Sequence, residues 1–241
     1  MLIPASTDLT GKVCLVTGAA GGIGLSTIEH FKKLGAVVYA TDKHKSFSGS
    51  AVYKEFDLLD EKELSLCLDW IAEIKPDVLF NNAAIFDMGS VIDASLVSFD
   101  RLFGINVRAF YAIMQAASKS MIAEKKLGSI INVASQAGHR GEALVAHYCA
   151  TKAGISGFTR ALCKEVGKYG ITANAVAPGF VKSVMSDSMP EEIIQGAIKM
   201  IPVGRIGTPK DMGHVYLFLA SKESGFVSGI TLHANGGAMP M

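Results

Sequence analysis

No run in this sequence is both apolar and close to the roughly 20 residues that cross a bilayer. The first ten residues also lack a basic stretch followed by an apolar one, so neither a membrane span nor a secretory leader is expected. An excess of one charge is missing too. The chain has 23 Lys and Arg against 22 Asp and Glu, a net charge of +1, so no overall field draws it to nucleic acid or to an acidic membrane. The doublet Lys125-Lys126 reads as a solvated helix end. Cysteine is scarce: Cys14, Cys67, Cys149 and Cys163 are scattered without C-x-x-C spacing. That argues against a disulfide framework and a zinc site, and predicts buried, reduced thiols in a cytoplasmic protein that holds no metal. No linker, repeat or low-complexity tract divides the 241 residues, so residues 1–241 are expected to form one domain.

What is present is an alternation. With 49% hydrophobic and 19% charged residues, the chain can build a sizeable core. Short apolar, β-branched runs at Lys12–Val16, Ala36–Ala40, Val52–Phe56, Val78–Phe80, Ser129–Val133, Thr172–Val176 and Ile230–His233 read as strands. Between them, Ile23–Leu34, Asp60–Ile74, Phe99–Glu124, Leu144–Tyr169 and Asp211–Leu219 have helical period. The pattern predicts an α/β fold of the Rossmann type, a doubly wound parallel sheet. Roughly ten residues separate the second and third strands, near the minimum for a crossover, so a loop is expected there. Residues 179–200, rich in Ser and Met, are expected to form a mobile helical lid over the substrate.

Thr17-Gly18-Ala19-Ala20-Gly21-Gly22-Ile23-Gly24 lies between the first strand and the first helix. A dinucleotide pyrophosphate needs a tight turn, close backbone approach and free N–H groups at a helix start, and Gly18, Gly22, Ile23 and Gly24 supply that chemistry. A plain glycine-rich turn is the competing reading; the placement between strand and helix favours the phosphate cradle. Asp42 follows about 20 residues later, at a strand end, where a carboxylate accepts both adenosine ribose hydroxyls and repels a 2′-phosphate. NAD is therefore favoured over NADP, although Lys43 and Lys45 stand close enough to neutralise a phosphate.

Tyr148 and Lys152 are one helical turn apart and share a face. An adjacent ammonium lowers a phenol's pKa, which a general acid or base at neutral pH requires. Such pairs are also common on exposed helices. Ser135 changes the balance: it follows the strand Ser129–Val133 at the edge where open α/β sheets bind ligands, and its hydroxyl could hold a reacting oxygen beside the phenol.

Taken with Asp57-Leu58, Asn81-Asn82-Ala83-Ala84, Asn106 and Pro178-Gly179, in this order, these motifs make the chain resemble the short-chain dehydrogenase/reductase family over essentially its whole length. The resemblance implies that Tyr148 exchanges the proton with the substrate oxygen, Ser135 orients it, and Lys152 lowers the Tyr148 pKa and holds the nicotinamide ribose. It implies that Asn106 supports a water in the proton relay, on a helix that is distorted there. Asp57 and Leu58 would flank the adenine, Asn82, Ala83 and Ala84 would pass the adenosine ribose, and Pro178, Gly179, Val181 and Ser183 would meet the nicotinamide side. A serine at 183, where the family usually has threonine, keeps the hydroxyl.

Substrate contacts are expected just after Ser135, just before Tyr148 and after Gly179. These places offer Ala137, His139, Arg140 and Glu142, then Val145 and His147, then Val184, Met185 and Met189. Ala137, Arg140, Val184 and Met185 are the chosen substrate contacts, with Ser135 and Tyr148; Arg140 or Arg205 could grip an anion. His139 and His147 read as loop or surface residues. The stretch Ser135-Gln136-Ala137-Gly138-His139-Arg140-Gly141-Glu142-Ala143-Leu144 is similar to that of polyol and sugar dehydrogenases in the family, the sorbitol dehydrogenase group among them. An NAD-dependent interconversion of a secondary alcohol and a ketone, on a polyol, sugar or keto-deoxy sugar acid, is therefore expected. A 3-oxoacyl-thioester reductase is the alternative. The resemblance also implies a homotetramer and a small-molecule substrate; nucleic acid and membrane are not expected as partners, since only scattered lysines would support either.

Overall fold

The protein is described here from a computed structural model, whose described residues are 7–183 and 191–240. Its centre is a sheet of seven parallel strands in the order β3-β2-β1-β4-β5-β6-β7. The strands are β1 (Val13–Thr17), β2 (Val37–Asp42), β3 (Val52–Glu55), β4 (Val78–Asn81), β5 (Ser129–Val133), β6 (Thr172–Pro178) and β7 (Thr231–Ala234). Every residue of β4 and β5 is buried, as a parallel strand covered on both faces requires. The sheet is flanked by α1 (Gly22–Lys33), α2 (Glu61–Ile74), α3 (Leu96–Phe103), α4 (Phe110–Ala123), α5 (Ala137–Arg140), α6 (Ala146–Val166), α7 (Glu191–Lys199) and α8 (Pro209–Ala220).

One apolar cluster fills the face covered by α2, α4 and α6, with Leu15, Leu79, Ile113 and Ile155 fully buried. A second fills the face under α1 and α8, around Phe31, Phe80 and Tyr216. Fully burying one such side chain contributes about 1.5–3 kcal/mol. Local signals start and stop the helices. The Asp60 carboxylate accepts from the Lys62 and Glu63 amides at the start of α2, and Lys75 turns left-handed at its end (φ 52°). Thr208 and Asp211 form a capping box at the start of α8, with Pro209 as its first residue.

Strand order reverses between β1 and β4, so the loops leaving their carboxyl ends part and open a crevice. Asn82 closes its base, donating from Nδ2 to the carbonyls of Thr17 and Gly18, each 3.0 Å away. The expected loop between β2 and β3 is found, with no helix.

Three expectations are corrected. The helix read as Phe99–Glu124 begins earlier, at Leu96, and is interrupted by a π-helical segment, Gly104–Ala109, before α4. The Ser95 hydroxyl caps its start by accepting from the Ser98 amide, a signal hidden by the exposed apolar pair Leu96-Val97. Within 179–200, the described helix is confined to α7, with no buried residue. Of the cysteines, Cys14 and Cys67 are buried, but Cys149 and Cys163 are only half-buried. No described helix is long and apolar enough to cross a membrane.

Candidate active site

Two cavities lie along the crevice. The first, about 510 Å³, runs beneath the glycine loop and is walled by Gly18, Gly22, Gly24, Asp42, Asp57, Leu58 and Ala83. Its floor needs glycine: a Cβ on Gly24 would lie 2.4 Å from the Gly18 carbonyl oxygen, and one on Gly18 would lie 2.8 Å from Ala83 Cα. The Asp42 carboxylate at the end of β2 accepts from the Ala20 amide at 3.0 Å and faces His44 Nδ1 at 2.6 Å. This carboxylate is in the wall, not out in solvent, with its side chain 11% exposed. A sugar diol fits such a double acceptor, and the loop's backbone amides fit a diphosphate at the start of α1.

The second cavity, about 470 Å³, holds Ser135, Tyr148 and Lys152 together with Ala137, Pro178, Gly179 and Val181. Ile23, Asn82, Ala84 and Ser183 belong to both walls, so the two spaces meet. Every residue expected to touch the cofactor lines one cavity or the other. Phe86 sets its ring edge-on to Tyr148, with centroids 5.0 Å apart.

The electrostatics of this pair run against expectation. Lys152 is buried on α6 and donates to the Val133 carbonyl at 2.8 Å. Burial lowers its pKa to about 7. Burial likewise raises the Tyr148 phenol to about 12, while a hydrogen bond with Ser135 pulls it down and the Glu142 carboxylate pushes it up. The expected lowering of Tyr148 is thus reversed. The Lys152 ammonium, 5.8 Å from the centre of the phenol ring, is turned to a main-chain carbonyl of β5.

A family model described as Enoyl-(Acyl carrier protein) reductase matches residues 18–239. The chain is 38% identical to a 3-oxoacyl-[acyl-carrier-protein] reductase of Rickettsia conorii, covering 96% of this chain and 98% of that one. It is 35% identical to a sorbitol dehydrogenase of Cereibacter sphaeroides, covering 95% and 98%. A solved structure, a candidate NAD(P)-dependent gluconate 5-dehydrogenase from Beutenbergia cavernae with NADP bound at low occupancy, superposes with a TM-score of 0.91. It is 30% identical, covering 97% of this chain and 99% of that one. The chain belongs to the short-chain dehydrogenase/reductase family.

In this short-chain dehydrogenase/reductase, Asn106 sits within the π-helical segment, as the expected distortion required. Its side chain is fully engaged: Oδ1 accepts from the Ile85 amide at 2.9 Å, and Nδ2 donates to the Ile85 carbonyl at 2.9 Å and to Thr151 Oγ1 at 3.3 Å. The loop after β4 and the residue before Lys152 are thereby pinned together.

Not every substrate expectation converges on the cavity. Arg140 stands outside its lining, its Nη2 bound 2.6 Å from Glu142 Oε1, and it is Glu142 that reaches the wall. Arg205 pairs with both oxygens of Asp211, at 2.7 and 3.0 Å, beside a further cavity of about 270 Å³ on whose wall Phe180 also stands, but not Tyr148. Neither arginine faces Tyr148. His139 is half-buried against Ser156 and His233, whereas His147 is buried rather than at the surface. Val184, Met185 and Met189 lie outside the described residues. Reading the sequence did not single out Gln136, Phe86, Met88 or His44, which all line these cavities. Each follows a recognised residue or strand: Gln136 is next to Ser135, His44 is two beyond Asp42, and Phe86 and Met88 are in the loop leaving β4.

Proposed function

We propose that this oxidoreductase interconverts a secondary alcohol and a ketone on a polyol, sugar or sugar acid, with NAD preferred over NADP. The observation that carries the reading is the convergence of Ser135, Tyr148 and Lys152 on one cavity that opens into the Asp42-walled space. Asp42 supports NAD, because a 2′-phosphate would stand against a carboxylate already set in the wall. The similarity to a sorbitol dehydrogenase supports the substrate class.

Bound NAD supplies the hydride acceptor. The protein's part is proton transfer and alignment. Tyr148 keeps its proton through neutral pH and is set as the acid that protonates a ketone oxygen; as its phenolate it takes the carbinol proton in the opposite direction. Ser135 holds the same oxygen by a hydrogen bond. Lys152 has its side-chain nitrogen 5.8 Å from the centre of the phenol ring and would hold the nicotinamide ribose. Asn106 acts through what it positions, Ile85 and Thr151, and a relay water would fall to its main chain.

The lid assigned to 179–200 belongs to this reading, supported by Phe180, Val181 and Ser183 in the cavity wall. So do a cytoplasmic location and a homotetramer, for which the exposed Tyr111 and Tyr169 along a groove between α4 and α6 offer an apolar contact face. A second reading, reduction of a 3-oxoacyl thioester, is favoured by the 38% identity to the Rickettsia conorii protein.

The test is Tyr148→Phe. Turnover of a polyol with NAD should fall roughly 100- to 10,000-fold, the span of general acid–base contributions, with NADH affinity kept. Undiminished turnover would refute the assignment.

A further inference from the structure

The cavity wall beside Ser135 holds a polar group with nothing to bind. Gln136 Oε1 is buried and has no hydrogen-bond partner among the described residues. Its backbone is held firmly, with the amide donating to the Pro178 carbonyl at 3.0 Å and the carbonyl accepting from the His139 and Arg140 amides. A buried carbonyl oxygen left without a donor is costly, and a site that keeps one commonly uses it on a ligand.

Its neighbours make room for that use. Gly179 faces the amide, and a Cβ there would come 3.1 Å from Gln136 Oε1 and 2.7 Å from Asn235 Cβ. Glu142, whose negative charge reaches Tyr148, adds a second acceptor to the same wall. Two acceptors beside the reacting position suit a ligand rich in donors. A hydroxyl is such a donor. The methylene of a 3-oxoacyl thioester is not, and a carboxylate would stand against the negative charge of Glu142.

We propose that Gln136 selects the substrate. Its side-chain oxygen accepts a hydrogen bond from the hydroxyl on the carbon next to the carbinol held by Ser135 and Tyr148, so that uncharged vicinal polyols are preferred. This inference rests on the polyol reading above and narrows it. A substrate lacking that hydroxyl leaves a desolvated amide unpaired, a situation in which sites built for a hydroxyl reject analogues most strongly.

The test compares propane-1,2-diol with propan-2-ol, which share the reacting carbinol and differ by the neighbouring hydroxyl. The ratio of kcat/KM values, diol over mono-alcohol with NAD, is read on one enzyme preparation, so the folded fraction cancels. The wild-type ratio should exceed one. It should fall roughly tenfold or more in Gln136→Leu and be largely kept in Gln136→Glu, which retains an acceptor. Gln136→Ala reads the same ratio without a leucine branch pressing on the Gly179 turn. A wild-type ratio near one, or a ratio unmoved in both Gln136→Leu and Gln136→Ala, overturns the role of Gln136 and leaves the dehydrogenase reading standing. A wild type that oxidises neither alcohol yet reduces an acetoacetyl thioester overturns both.

Discussion

Lys152 and Val133 are joined by a 2.8 Å hydrogen bond from the ammonium nitrogen to a main-chain carbonyl, inside a site where the lysine is only 2% exposed. One carbonyl does not offset the desolvation of a full charge, and the folded pKa drops from 10.5 to about 7. The folded state thus binds fewer protons than the unfolded chain between these two values. Stability of the cofactor-free protein rises with pH across that window. Below about 7 both states are protonated and the burial cost stays in full.

Lys152→Met should therefore stabilise the cofactor-free protein while abolishing turnover. Melting temperature should rise by several degrees near pH 6, since each kcal/mol is worth roughly 2–4 °C in a chain of this size. The gain should shrink by about pH 10. Scanning calorimetry at both pH values checks it; a loss of stability at pH 6 would show that the buried amine is not a burden on the fold.

Tyr148 should make the rates of the two directions respond differently to pH. Burial holds its proton up to about 12 in the cofactor-free enzyme, so at neutral pH it is a donor. Ketone reduction should hold its rate from about pH 6 to 10, where the phenol keeps its proton, while alcohol oxidation should climb with pH as the phenolate fraction grows. Initial rates of NADH formation and consumption between about pH 6 and 10 test this. An oxidation rate independent of pH would exclude the phenol as the titrating base.

Much of this site could be read from local chemistry because its demands are local. The phosphate cradle needs glycines between a strand and a helix, and Gly18 and Gly24 are where a Cβ meets backbone. Distortion around Asn106 was also expected, and it is a π-helical turn. What could not be read is where side chains turn once the chain is folded. Helical spacing places Tyr148 beside Lys152, but not the Val133 carbonyl that β5 brings to the ammonium. Arg140 was expected to face a substrate, yet its partner is Glu142, two residues away. The four-residue α5 is too short to leave a periodic pattern, and the unpaired oxygen of Gln136 lies beside Gly179, a neighbour that only the fold brings to it.

Asp42 should decide between the two dinucleotides. Its carboxylate makes hydrogen bonds of the charged kind, each worth about 1.5–3 kcal/mol, and repels a 2′-phosphate. Asp42→Ser should lower kcat/KM with NAD by roughly tenfold or more and raise it with NADP, helped by Lys43 and His44 in the same wall. Steady-state kinetics with both cofactors measure the ratio. If it does not move, the discrimination lies elsewhere.

Gly24 and Gly22 make a controlled pair for the phosphate cradle, since both lie in α1 and both wall the same cavity. Alanine at 24 would bring its Cβ within 2.4 Å of the Gly18 carbonyl oxygen and 2.8 Å of Ala19 Cα, and backbone can yield only by reshaping the loop. Alanine at 22 would meet Pro209 Cγ at 3.4 Å, an ordinary contact with a side chain. Overpacking of the first kind costs typically about 1–3 kcal/mol, and here it also moves the amides that would face the diphosphate. Gly24→Ala should melt several degrees lower and lose NADH binding, measured by fluorescence titration. Gly22→Ala should stay within about 2 °C of the wild type. Equal behaviour of the two variants would mean that the close approach of α1 to the Gly18 turn is not what shapes the site.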